Sequence, residues 1–184
     1  MTRIQISILF TLLLWHFPST AQKPSPLMAQ TKVDLQKFMG LWHEVARLPH
    51  SFERSCIQIT SEYTLKKDGK INITNRCIKE NGHKRSAHGE VKIVDKTNNA
   101  KMKVEFAPDW LKWSGIGKED YWIIDIDPQY KWAVISEPNR DFLWILSRMP
   151  VLDSKIYDNI INKLENWDFD LSHLVVSKRQ IASS

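Results

Sequence analysis

Between residues 41 and 148 the chain divides into eight short segments rich in β-branched and aromatic residues, and this pattern limits the fold more than any other feature. The segments are 41–48, 57–65, 70–79, 86–95, 101–107, 121–126, 130–137 and 141–148. Lys66-Lys67-Asp68-Gly69, Thr97-Asn98-Asn99, Asp127-Pro128-Gln129 and Pro138-Asn139-Arg140 separate successive segments with residues that favour tight turns. Eight consecutive strands on short connections pair as antiparallel neighbours. Closing that sheet removes the exposed edges that would otherwise pair with other chains. A closed barrel of eight strands is just wide enough to hold one small ligand. The expected fold is therefore all-β, an eight-stranded antiparallel up-and-down β-barrel. In the fifth segment, Lys101, Lys103 and Glu105 alternate with Met102, Val104 and Phe106. That charged outer face suits a barrel in water; a membrane-spanning barrel needs an apolar one. An immunoglobulin-like sandwich is the architectural rival, but its buried tryptophan between widely spaced cysteines is missing.

One helix is expected outside the barrel near the C-terminus. Asp153 can accept from the free amides of its first turn, and Ile156, Ile160, Ile161 and Leu164 then share one face. Residues 174–178 read as a ninth short strand. At the other end, Arg3 precedes an apolar run over 4–17, and Pro18-Ser19-Thr20-Ala21 closes it with small residues. This reads as a secretory signal cut after Ala21 or after Ala29. The run is about 14 residues, short of the ~20 that span a bilayer as a helix. The expected organisation is a signal over 1–21, an extended arm over 22–32 and a barrel domain over 33–184. Bacterial lipid attachment needs a cysteine at the cleavage site, and the first cysteine is Cys56. A periplasmic or secreted protein is expected, with outer-membrane association left open.

The formal net charge is +5 and the charges are interspersed, without a run of one sign. No basic stripe with interleaved aromatics calls for a nucleic acid. Peripheral contact with an anionic membrane and pairing of two barrels remain open. In an oxidising compartment, Cys56 and Cys77 are most simply one disulfide. They stand at the end of the second hairpin farthest from its turn. If Leu65 pairs with Lys70, they share a face. If Lys66 pairs with Lys70, Tyr63 faces Ile73 and Leu65 faces Ile71, which suits the apolar alternation better. The cysteines then point to opposite faces, and only a bulge or bend near Cys56 lets them bridge. The compartment decides for the bridge.

Three stretches carry a family resemblance. Gly40-Leu41-Trp42, preceded by residues 33–39, resembles the Gly-x-Trp opening of the lipocalin family, which follows a one-turn helix. Asp127-Pro128-Gln129-Tyr130 stands at the family's Thr-Asp-Tyr turn, with altered spacing. Residues 141–148, Asp-Phe-Leu-Trp-Ile-Leu-Ser-Arg, resemble the last barrel strand of the bacterial outer-membrane lipocalins and their apolipoprotein D relatives. The missing lipobox cysteine departs from the bacterial subgroup. The resemblance covers roughly residues 33–180 and implies binding of a lipid-like ligand rather than catalysis. Gly40, Trp42 and Arg148 are read as the closed end, with the guanidinium stacked on the indole. The competing role for Arg148 is a ligand carboxylate.

Candidate ligand contacts are Phe106, Trp110, Trp113, Trp122, Trp132 and Trp144. Phe106-Ala107-Pro108-Asp109-Trp110-Leu111-Lys112-Trp113 is costly to expose unless it covers something apolar, either a ligand portal or packing under a long loop. No catalytic residues are expected: His43 and Glu44 are adjacent on a strand and face opposite ways. His83 and His88 bracket a loop without metal-ligand spacing, so neither metal nor cofactor is expected. The function expected is storage or transport of a fatty acid or lysophospholipid at the bacterial cell envelope. The rivals are a carrier of a tetrapyrrole or other pigment, and a lipocalin-type enzyme acting on its ligand.

Overall fold

The computed structural model describes residues 25–50, 53–106 and 118–177, and the backbone of 181–182. Strands β1 (Gly40–Arg47), β2 (Cys56–Leu65), β3 (Ile71–Lys79), β4 (Lys84–Ile93), β5 (Lys101–Glu105), β6 (Lys118–Ile126), β7 (Trp132–Ser136) and β8 (Leu143–Ser147) follow in order. Each pairs antiparallel with the next, and β1 pairs with β8, which closes the barrel. A one-turn helix α1 (Leu35–Phe38) precedes β1, capped by the Asp34 carboxylate on the amides of Gln36 and Lys37. Helix α2 (Ser154–Asn166) packs outside, with Asp153 capping Lys155 and Ile156. Ile160 and Leu164 are its buried residues, with Ile156 and Ile161 half-buried beside them.

The expected barrel and outer helix are present, with shifted edges. Strand β4 starts at Lys84 instead of 86, because the β3–β4 ladder extends to Ile78 opposite Lys84. Strands β7 and β8 start two residues late: Tyr130 and Arg140 sit at positive φ, within turns. The ninth strand is β10 (Val175–Val176), laid on β1 at Ala46 and Arg47. A parallel pair of β9 (Leu152–Asp153) and β11 (Ile181–Ala182) adds to the strands read from the sequence.

Two ladders show how the sequence positions the interior. In the β2–β3 hairpin, the Lys66 amide donates to the Lys70 carbonyl, Tyr63 faces Ile73 and Leu65 faces Ile71. That register alone would part the cysteines. A bulge between Cys56 and Gln58 turns Cys56 back, and the Cys56–Cys77 disulfide forms at a Cα separation of 5.6 Å. In β1, a second bulge falls between Glu44 and Ala46. Glu44 faces Leu146 and Arg47 faces Trp144, two residues of one β8 face, so the bulge puts Glu44 and Arg47 on the same side of the sheet.

Two apolar layers result. Inside lie Phe38, Trp42, Tyr63, Ile73, Met102, Ile123 and their neighbours. Outside, Val45, Ile124, Val134 and Ile145 pack with Ile160, Leu164 and Phe169. The arm reaches this outer layer: Leu27 is buried, and the Gln30 amide donates to the Ile123 carbonyl at 2.9 Å.

Candidate functional site

Tight turns place one end of the barrel under α1, at the start of β1. The Trp42 side chain is fully buried there, and its Nε1 donates to the Phe38 carbonyl at 2.8 Å. The Arg148 guanidinium lies 3.7 Å above the Trp42 ring. Its N–H groups donate to the carbonyls of Leu41, Lys37, Phe38, Met39 and Tyr130. Three of these belong to the end of α1 or just beyond it, where carbonyls lack intrahelical donors. Gly40 has φ +96°, and a Cβ there would stand 3.4 Å from Arg148 Nη1. The Asp127 turn completes this end, with the Tyr130 hydroxyl accepting from the Asp34 amide at 2.7 Å.

Tyr63, paired with Gly40 and with its ring 5.0 Å from Phe38, and Tyr121 reach into the apolar interior, where their hydroxyls share a hydrogen bond. Burial pushes both phenols up from their ordinary range. A buried ion cluster follows. Glu44, Arg47 and Glu53 are 1%, 5% and 4% exposed. Arg47 Nη1 donates to Glu44 Oε1 at 2.8 Å, and Nη2 to the Glu53 main-chain carbonyl at 3.0 Å. The Glu53 carboxylate lies 3.4 Å from Arg47 Nε and accepts from Trp144 Nε1 at 3.1 Å. Burial, reinforced by the Glu53 charge and opposed by Arg47, pushes the Glu44 carboxyl up to about 8. Burial raises Glu53 as well. His50 stands over Phe142 and Trp144, 3.8 Å from Glu119.

The six aromatic candidates divide. Trp144 faces inward, its ring 5.9 Å from Tyr121. Phe106 lies across Gly89, where a Cβ would stand 2.8 Å from its ring and 2.9 Å from the Glu105 carbonyl; no larger residue fits. Trp122 and Trp132 do not join them. They pack in the outer layer, under Lys101 at 4.6 Å and Lys163 at 5.6 Å. Trp110 and Trp113 lie outside the described residues. In sequence they fall between the end of β5 and the start of β6, two strand ends that lie opposite α1.

Of the ion cluster, the sequence reading singles out only Glu44, as half of a pair that the strand geometry rejects. His43 indeed lies on the other face, with Ser147. The signal that could have found the cluster is Glu44 at an inward position two residues after Trp42. Among the described residues no group of three or more His, Cys, Asp or Glu side chains could hold a metal ion, and no helix is long and apolar enough to cross a membrane.

A closed eight-stranded barrel with an apolar interior and a buried ion group toward the end away from α1 is an architecture suited to a small hydrophobic molecule. Residues 33–179 match the family described as the lipocalin-like domain. The chain belongs to the lipocalin family. It is 33% identical over 159 residues to the outer membrane lipoprotein Blc of Vibrio cholerae, covering 85% of this chain and 89% of that one. Apolipoprotein D of Macaca fascicularis is 30% identical, over 82% of this chain and 79% of its own. The structure of insecticyanin from Manduca sexta superposes with a TM-score of 0.63 at 22% identity, covering 91% and 92%.

Proposed function

We propose that the chain binds an acyl-chain lipid, a fatty acid or lysophospholipid, inside the barrel and stores or carries it at the cell envelope without transforming it. The observation that carries this reading is the order of the interior: a sealed end, an apolar wall, then the buried Glu44–Arg47–Glu53 group on the mouth side. An amphiphile has that same order. Each Å² of apolar surface removed from water contributes about 25 cal/mol, so an acyl tail suits the wall. In this reading Trp42 and Arg148 are the structural seal, because the Arg148 donors are already turned to main-chain carbonyls. Residues 1–21 direct export, and the V. cholerae relative's name supports an envelope location. Mass spectrometry of molecules extracted from the protein purified out of its native compartment tests the reading. Acyl lipids in near-stoichiometric amount are expected. A coloured preparation carrying a chromophore, or a barrel that binds no acyl compound after delipidation, overturns it.

A further inference from the structure

We infer that the Arg47 guanidinium is a head-group site for a single carboxylate on an acyl chain, and that Glu53 fills it from within as a stand-in which the ligand displaces. This rests on the acyl-chain reading above and names the head group it takes.

Arg47 is the one lysine or arginine that is buried among the described residues. An isolated buried cation is costly, so an apolar barrel keeps one only with partners. Its partners are unequal. Glu44 is on the same strand and meets Nη1 at 2.8 Å. The Glu53 main-chain carbonyl meets Nη2 at 3.0 Å and also accepts from the Cys56 amide at 3.0 Å. Cys56 is tied to Cys77, so that carbonyl is held by the disulfide. The Glu53 carboxylate is the loosest of the three. It stands 3.4 Å from Arg47 Nε, and Nε is left without a hydrogen-bond acceptor. Among the described residues its aligned donor is Trp144 Nε1.

Rotation of the Glu53 side chain alone, with its backbone in place, uncovers two convergent donors: Arg47 Nε and Trp144 Nε1. A ligand carboxylate entering there replaces one carboxylate by another. The charge beside Arg47 is unchanged, and the space Glu53 leaves receives the head group. A neutral head brings no compensating charge, so Glu53 would leave Arg47 short of its partner. The group thus selects by exchange. Below it the Tyr63 and Tyr121 hydroxyls share a hydrogen bond within the apolar interior; above it stand His50 and Glu119.

The test is calorimetry on the full delipidated chain with dodecanoate, dodecan-1-ol and methyl dodecanoate, in wild type, Glu53→Gln and Arg47→Gln. Wild type should bind dodecanoate at least tenfold more tightly than the alcohol or the ester. Glu53→Gln removes the internal competitor and should tighten dodecanoate by a further several-fold while leaving the alcohol unchanged. Arg47→Gln should bind all three alike; if its circular dichroism shows that it does not fold, the Glu53→Gln comparison decides. Equal affinities for the three compounds in wild type, or unchanged or weaker dodecanoate binding in Glu53→Gln, overturn the inference and leave the acyl-chain reading standing. No binding of any of the three by wild type or Glu53→Gln overturns both.

Discussion

At the scale of single residues, two buried groups set opposite demands on stability. Trp42 is fully buried with its one donor satisfied and a guanidinium on its face, so nothing adjacent can collapse into its place. Trp42→Ala should cost about 3–5 kcal/mol, read as a lower urea midpoint at unchanged slope. An unchanged midpoint would show that the closed end does not depend on the indole. Glu44 works the other way. Its carboxyl is pushed up to about 8 in the folded chain from an ordinary value of 4.5. Between those values the unfolded chain releases a proton that the folded chain keeps, so stability falls as pH rises. Relative to Glu44→Gln, wild type should be least penalised near pH 5 and lose ground steadily up to pH 8. Urea midpoints of both proteins at pH 5, 6.5 and 8 check this; a constant difference across the series would mean that Glu44 is ionised in the fold throughout.

At the scale of elements, what was legible in the sequence depended on whether a ladder ran without interruption. The β2–β3 register could be read from apolar alternation, and Tyr63 against Ile73 and Leu65 against Ile71 are found so. The same register demanded a bulge beside Cys56 if the bridge were to form, and the bulge is there. The bulge in β1 was not legible. It inserts one extra residue, Val45, between Glu44 and Ala46 without a glycine to mark it. Its consequence is that Arg47 joins Glu44 on the inner face, which strict alternation denies. Removing the bridge by Cys56→Ser with Cys77→Ser should lower stability by about 3 kcal/mol on the loop-entropy estimate. It should also loosen the Glu53 turn, because the bridge anchors Cys56, whose amide donates to the Glu53 carbonyl. Non-reducing peptide mapping of wild type should give one Cys56–Cys77 species. The α2 cap is a smaller matter: Asp153→Ala should cost about 1 kcal/mol in the same urea assay.

At the scale of the whole molecule, the question is which aromatics see the interior. Alternation separates inside from outside only where one face meets water. Over 121–126 in β6, 132–136 in β7 and 143–147 in β8 the residues on both faces are buried or half-buried, because α2 and its neighbours cover the outer side. Their tryptophans therefore looked alike in sequence, and the structure parts them: Trp144 inward against Tyr121, Trp122 and Trp132 outward beneath lysines. This division can be read in solution. Titrating delipidated protein with dodecanoate should change the tryptophan emission, and Trp144→Phe should remove a large part of that change. The substitution also deletes the Nε1 donor to Glu53, so affinity should shift in the same experiment. Trp132→Phe alters the outer layer alone and should leave both the amplitude and the affinity near wild type. Equal responses from the two variants would mean that the ligand lies against the helix-covered face and not within the barrel.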